Sequence, residues 1–485
     1  MGFYGPLYPI YGDVPCYYGF HVMSFIKFHI IAFIEFIYMR IMEDSRSYAL
    51  LMAILASFLT PFVASSINVA LPSLGSDLGM DPFILAWVPT IYLLAVAVLL
   101  IPMGRLADIY GRRRVFQFGI IIFTVSSIFA GFSISAEMLL LLRVIQGVGG
   151  AMIFSNVSAI IYSVFPPFER GYALGWAATG TYFGLFFGPT LGGFLTQYFG
   201  WRSIFYFNVP LGVICAYATG RIVSEWREAE DEEFDLLGAF LMALSLIFVL
   251  VGFSSIIFYY GFLLFVVGIF LLYFLYRYEC GCESPLFDFE LFENRSFTWN
   301  GFTTFISYFA GYPVVFLLSL YLQYFHSLDP WRTGVILSIQ AFLIALVSPV
   351  AGKFSDRMSP RIIAAVGLLV IILAMLIFSF SRFLCWIIIG LVFMGVGFGF
   401  FSVSNSKLVM GSVERKFWGV ASATLVTFRV LGQLIGMGLI VLLVNVYLGG
   451  GSVANNGSFR ALMIVSFILF VLLLVVGLVL TLKAK

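Results

Sequence analysis

The feature that limits this chain most is a set of fourteen apolar stretches, each about 20 residues or longer, the length that crosses the hydrocarbon core of a bilayer. They fall near residues 48–71, 83–103, 115–135, 138–165, 171–198, 203–223, 236–255, 257–276, 297–325, 333–352, 361–380, 384–410, 417–447 and 460–482. Lipid cannot satisfy an open backbone edge, so a spanning segment must be a helix or a strand of a closed barrel. These runs are about twice as long as a barrel strand needs to be. The expected fold class is an all-α polytopic membrane protein with 14 transmembrane helices. Composition agrees, because only 10% of the 485 residues are charged, against roughly 25% in a soluble domain.

Charge sets the orientation. If the first span enters from the cytoplasm, the inside loops hold Arg105, Arg112, Arg113, Arg114, Arg170, Arg221, Arg227, Arg277, Arg295, Lys353, Arg357, Arg361, Lys407, Arg415, Lys416, Lys483 and Lys485. The outside loops hold Arg202, Arg332, Arg382 and Arg460. Both termini are expected in the cytoplasm of a cell whose plasma membrane carries the protein. The net charge of +2 is spread over these loops and gives no reason to expect nucleic acid as a partner.

Four regions follow: an N-terminal extension over 1–45, a six-helix bundle over 46–225, an acidic linker with two extra helices over 226–295, and a second six-helix bundle over 296–485. The stretch 20–41 is apolar but interrupted by His21, Lys27, His29 and Glu35. It reads as an upstream extension or an interfacial helix, with a fifteenth span as the alternative. The acidic run from Glu225 to Asp235 reads as a solvated linker. Cys16, Cys215, Cys280, Cys282 and Cys385 form no regular framework, so no structural disulfide is expected. Cys280 and Cys282 form a CxC in a polar loop and are read as spare thiols, with a metal contact as the alternative. The scattered histidines, His21, His29 and His326, predict no metal site, and no cofactor is implied.

Three motifs carry the functional reading. Gly104-x-Leu106-Ala107-Asp108-x-x-Gly111-Arg112-Arg113-Arg114 follows the second span, and Gly352 to Arg361 echoes it after the tenth. Gly104 would permit close helix approach and Gly111 a tight turn, while Asp108 would organise the arginines around it. A simple basic anchor with an incidental acid is the alternative. The second motif, Arg143-x-x-Gln146-Gly147-x-Gly149-Gly150, places a cation inside the fourth span. Such a charge is costly and by default marks a cavity or coupling site, although snorkelling to the interface would also accommodate it. The third, Gly184-x-x-x-Gly188-Pro189-x-x-Gly192-Gly193, combines a close-packing face with a proline in the fifth span. It reads either as a gate or as a tight structural contact. The aromatic residues, 18% of the chain, could line a cavity but more often pack core and meet lipid.

Together these blocks resemble the signature motifs of the major facilitator superfamily, and the glycine–proline block is similar to that of its drug:proton antiporters. Asn68-Val-Ala-Leu-Pro72, Trp87 to Leu94, Trp201-Arg-x-x-Phe205-x-x-Asn208-x-Pro210, Leu320-Tyr-Leu-Gln323 and Arg429 to Gly436 resemble its fourteen-helix branch. The resemblance spans about residues 46–482. It implies a major facilitator fold of two six-helix bundles plus two extra central helices, with alternating access to a central cavity. It also implies proton-coupled export of hydrophobic or amphipathic compounds by a monomer. Asp108, Arg143, Gly104, Gly111, Arg112, Gln146 and Gly147 would serve coupling and gating, the glycine–proline block would serve antiport, and Arg429 and Asn68 would face the cavity. One position departs from the branch: the aspartate usual before the Asn-Val-Ala-Leu-Pro block is Val63 here. No acid lies deep in any span, whereas Arg143 and Arg429 do. This pattern suits a carrier of organic anions or metabolites, the alternative reading. An enzyme is not expected, since no nucleophile–base or metal constellation is present, and no GxxxxGK[ST] loop points to ATP.

Overall fold

The computed structural model describes residues 45–166, 169–227, 234–256, 258–281, 293–380, 383–413, 418–448 and 456–483, without the side chains of 170–172, 356, 418–423 and 456. The N-terminal extension with Cys16, His21 and His29, the middle of the acidic run, Cys282 and the Asp356 side chain lie outside the described residues.

Among the described residues there are fourteen α-helices and no strand. They are α1 (Ser45–Leu78), α2 (Pro82–Tyr110), α3 (Arg112–Gly131), α4 (Ala136–Val164), α5 (Arg170–Phe199), α6 (Arg202–Gly220) and α7 (Leu236–Ser254). The chain continues with α8 (Tyr259–Glu279), α9 (Arg295–Tyr324), α10 (Pro330–Arg357), α11 (Pro360–Phe380), α12 (Leu384–Gly411), α13 (Trp418–Leu448) and α14 (Asn456–Lys483). Thirteen are long and apolar enough to cross a membrane. The exception is α5, which is equally long but rich in glycine and threonine. Gly180, Gly184, Gly188, Gly192 and Gly193 lie against other helices, so close backbone contact holds much of it.

Several helices begin on a side-chain cap that satisfies an otherwise orphaned amide. Asp81 accepts from the Ile84 amide at 2.8 Å, and Asp329 accepts from the Arg332 amide at 2.7 Å. Each is followed by a proline at the first helical position, where no amide is needed. Inside the helices, hydroxyls return to the carbonyl one turn back: Thr90 to Ala86 at 2.7 Å, Ser127 to Phe123 at 2.7 Å and Ser307 to Thr303 at 2.8 Å. That local bond lets a polar side chain sit in a dry interior.

In the first half, α1 packs on α4, α5 and α6, while α4 packs on α2 and α3. In the second half, α9 packs on α13 and α14, and α12 packs on α10 and α11. The halves meet where α5 faces α10, α2 faces α13 and α1 faces α9. The hairpin α7–α8 stands outside, with α7 leaning on both α13 and α2.

The two halves repeat one packing scheme. The Gly149 backbone abuts the Gly119 carbonyl and the Phe123 amide, and Gly397 abuts the Gly367 carbonyl and the Ile371 amide. Gly184 of α5 lies against the Phe58 carbonyl and Phe62 amide of α1, and Gly432 of α13 lies against the Phe305 carbonyl and Phe309 amide of α9. The sequence echo at 104–114 and 352–361 is the visible part of a repeat that extends through the helices.

Candidate substrate and coupling site

Residues 104–114, the end of α2 and the start of α3 joined at Gly111, form one charged end of the molecule, here called the Asp108 end. One carboxylate oxygen of Asp108 accepts from Nε of Arg112 at 2.9 Å and pairs with its Nη2 at 2.9 Å. Arg112 Nη1 reaches Ser163 of α4 at 3.1 Å. Asp108 therefore ties α2 to the start of α3 and, through Arg112, to the end of α4 by a charge-assisted fork. Gly111 adopts φ of 114°, a left-handed conformation that glycine alone enters freely. Gly104 is a different case. A Cβ there would meet Ser155 Cβ at 3.7 Å, an ordinary contact, and Gly352 has Val403 at 3.8 Å. Close helix approach does not explain either glycine, because the tight contact between α2 and α4 lies deeper. There, Gly147 sits directly on the Tyr92 carbonyl and Ala95.

The acidic run is not a solvated linker at its ends. Glu225 accepts from the Arg113 amide at 2.9 Å and lies beside the guanidinium groups of Arg113 and Arg114 at 3.9 and 3.7 Å. The Trp226 carbonyl accepts from the Arg112 amide at 3.1 Å. Residues 222–226 thus cap the N-terminus of α3, where bare amides and the helix dipole favour a carboxylate. At the other end, Asp235 caps α7 and accepts from the Tyr278 hydroxyl at 3.0 Å.

Arg143 is fully buried on α4, turned into the protein rather than toward an interface. Its Nε donates to the Val88 carbonyl at 3.3 Å and its Nη1 to Gln146 at 2.6 Å. Gln146 in turn donates to Ser127 at 2.7 Å. The guanidinium lies 4.5 Å over the Tyr92 ring, a favourable placement for a desolvated cation. Its Nη2 and the Tyr92 and Tyr312 hydroxyls have no hydrogen-bond partner among the described residues.

The glycine–proline motif has two faces. Gly184, Gly188 and Gly192 abut α1 at Phe58, Ser65 and Ser66, and Gly180 continues that row to Ile54. Pro189 and Gly193 point the other way: Gly193 lies against the Pro330 backbone, and the Pro189 carbonyl lies against Gly334 of α10. Hydrogen bonds also cross between the halves at this end, opposite Asp108. Ser319 of α9 donates to the Asn68 carbonyl of α1 at 2.6 Å, and Gln323 donates to the Val69 carbonyl at 3.0 Å. The Trp331 amide donates to Gln197 at 3.2 Å. Asn68 is itself buried and contributes its backbone to this closure. Val63 is fully buried in α1. At mid-depth, Arg429 of α13 is half-buried, its guanidinium 4.9 Å from the Tyr308 ring of α9.

Against this geometry, the Major Facilitator Superfamily family model matches residues 53–281 and 301–485. The chain belongs to that superfamily. It is a multi-pass membrane transporter. The riboflavin transporter RibZ of Clostridioides difficile is 28% identical over 394 residues, covering 80% of this chain and 86% of that protein. The multidrug resistance protein Stp of Mycobacterium tuberculosis is 30% identical over 411 residues, covering 82% and 76%. A solved bacterial homologue of the human lysosomal transporter Spinster, inward-facing and unoccupied, gives a TM-score of 0.64 at 18% identity over 91% of this chain and 97% of that one. At that identity the likeness speaks to the fold.

Several residues of this facilitator's site carried no sequence signal of their own. Tyr92 and Tyr308 look like any aromatic in an apolar helix until an arginine is found over each. Ser127 emerges only when α3 and α4 are in register. Gly334 has no motif around it, and Gly180 could have been found by extending the four-residue spacing of Gly184, Gly188 and Gly192 one turn back.

Proposed function

We propose that this transporter exports hydrophobic or amphipathic organic compounds against proton entry, as a monomer of the fourteen-helix drug:proton antiporter branch in the plasma membrane. The bundles over 46–225 and 296–485 rock about a central site, and 226–295 supplies the two extra helices. Ser45 and Lys483 face the cytoplasm, following the asymmetry of lysine and arginine. The observation that carries this reading is the double-sided α5. One row of glycines fastens it to α1 within its own half, while Pro189 and Gly193 meet α10 of the other half backbone to backbone. A seam built on such backbone contact can part and re-form as a unit, which alternating access requires. The name of the Stp relative supports export of drugs.

Asp108 and Arg112 couple α2 to the loop on the cytoplasmic side, with Gly111 allowing the turn. Arg143, Gln146 and Gly147 couple α4 to α2. Without a described acid at mid-depth, proton uptake and release fall to Asp108, with the fixed charge of Arg143 working alongside it. A second reading, a carrier of organic anions or metabolites, is favoured by Arg143 and Arg429, which form no ion pair with any described residue. Uptake into everted vesicles tests both, using lipophilic cations, neutral compounds and organic anions with and without an imposed proton gradient. Gradient-driven uptake of a lipophilic cation or neutral compound supports proton-linked export. Anion uptake indifferent to the gradient sinks it and supports the second reading.

A further inference from the structure

The two intramembrane arginines are not equivalent. Arg143 is spoken for: it donates to Val88 and Gln146, lies over Tyr92 and is closed off from solvent. Arg429 is half-buried, makes no hydrogen bond or ion pair with any described residue, and lies over the face of Tyr308. Its Nε is fully enclosed yet unpartnered. A cation and a buried donor left unmet in this way are costly, about 1–3 kcal/mol for the donor alone, and the described part of the fold supplies no acid to relieve them.

The surroundings are those of a binding site. Tyr182 of α5 comes from the opposite half and lies near Arg429, Tyr308 and Ser348. One turn along α5, Phe186 packs on Phe342 of α10 with centroids 5.6 Å apart. Phe398 stands edge-on to Tyr308 at 5.8 Å. At 1.5 Å per residue, Arg429, Tyr308, Tyr182 and Ser348 each lie about 14–20 Å along their helices from the Asp108 end, so four helices of both halves bring them to one depth. A guanidinium with open donors beside aromatic walls matches one ligand chemistry: a planar or aromatic body carrying a single anionic group.

We infer that Arg429 is the receptor for an anionic group on an amphipathic aromatic substrate, whose ring system packs among Tyr308, Phe398, Phe186 and Phe342. This rests on the transport reading above and names the substrate class within it. Arg143 is a positioning residue for the α2–α4 contact rather than a ligand.

The test uses the purified full-length protein in detergent and two probes of nearly identical shape, pyrenebutyrate and its neutral amide, read by probe fluorescence. Wild type is expected to bind the carboxylate about tenfold or more tightly than the amide, the scale of one hydrogen bond to a charged group. Arg429→Gln should abolish that preference while leaving amide affinity in place. Arg429→Lys, which keeps the charge but loses the fork, should retain part of it. Arg143→Gln should keep it whole. Equal binding of both probes by folded wild type, binding of neither, or a preference that survives Arg429→Gln overturns the inference. Proteoliposome transport of the amide in those cases would leave amphipathic transport standing while removing the anion receptor.

Discussion

The two halves share a helix-packing plan, yet each places its arginine where the other has none. In the first half Arg143 sits on the fourth helix over Tyr92; the corresponding positions in the second half are Leu391 and Gln340, judged by the matching glycine contacts of Gly147 and Gly395. In the second half Arg429 sits on the fifth helix of its bundle over Tyr308; the corresponding first-half positions are Thr181 and Pro61, judged by Gly184 and Gly432. The described bonds at the matching ends are these. Asp108 and Arg112 form a fork in the first half, while in the second Lys407 donates to the Ser355 carbonyl at 2.8 Å and Ser355 bonds Ser404 at 2.6 Å. A duplicated scaffold thus carries two unlike chemistries: a closed polar chain on one side and an open cation on the other. The lesson is that backbone contacts, set by glycine, preserve the repeat, while side chains at other positions are free to diverge.

The equivalence of the halves is most severely tested at their shared glycines. Gly184→Leu and Gly432→Leu should each drive a side chain into a carbonyl of the neighbouring helix, at a cost of about 3 kcal/mol or more. Both should remove most folded protein from a size-exclusion profile, and a normal profile for either would break the comparison. Next in size is Arg143→Leu, which gives the first half the residue of the second. It leaves Gln146 without its donor and removes a buried fixed charge, and it should lower gradient-driven flux about 100-fold, the scale of a lost charged hydrogen-bond partner. Near-normal flux would mean that the buried chain serves packing alone. Asp108→Asn keeps the shape but weakens the fork with Arg112, and about a tenfold loss of turnover is expected with insertion unchanged; an unaffected rate would make the fork a mere anchor. The smallest effect belongs to Gly104→Ala, expected within about 0.5 kcal/mol of wild type in thermal stability, because the added methyl meets ordinary space.

Much of this architecture could be read directly from hydropathy. Apolar runs of bilayer length leave few alternatives to helices, and the Asp81-Pro82 and Asp329-Pro330 caps of α2 and α10 need no tertiary information. The motif glycines were visible too, but their partners were not. Nothing in a linear string says that Gly188 faces Ser65 while Pro189, one residue on and so about 100° around the helix, faces Gly334. Gly104 misled for the same reason, since a small residue signals permission to approach and not approach itself. Glu225 misled because an acidic run resembles a linker until the bare amides of α3 are seen beside it. Tyr182, Tyr308 and Phe398 were silent, as aromatics are on any lipid-facing or core helix.

The α7–α8 hairpin has one further consequence. Because α7 rests on both α2 and α13, it covers one of the lines along which the halves meet, with Leu250 and Ser254 seated at Gly438. The line between α5 and α10 has no such cover among the described helices. A solute dissolved in the membrane and drifting in its plane therefore encounters an asymmetric object, screened on one flank and bare on the other. Lipid therefore meets the α5–α10 seam directly and the α2–α13 seam only past a helix.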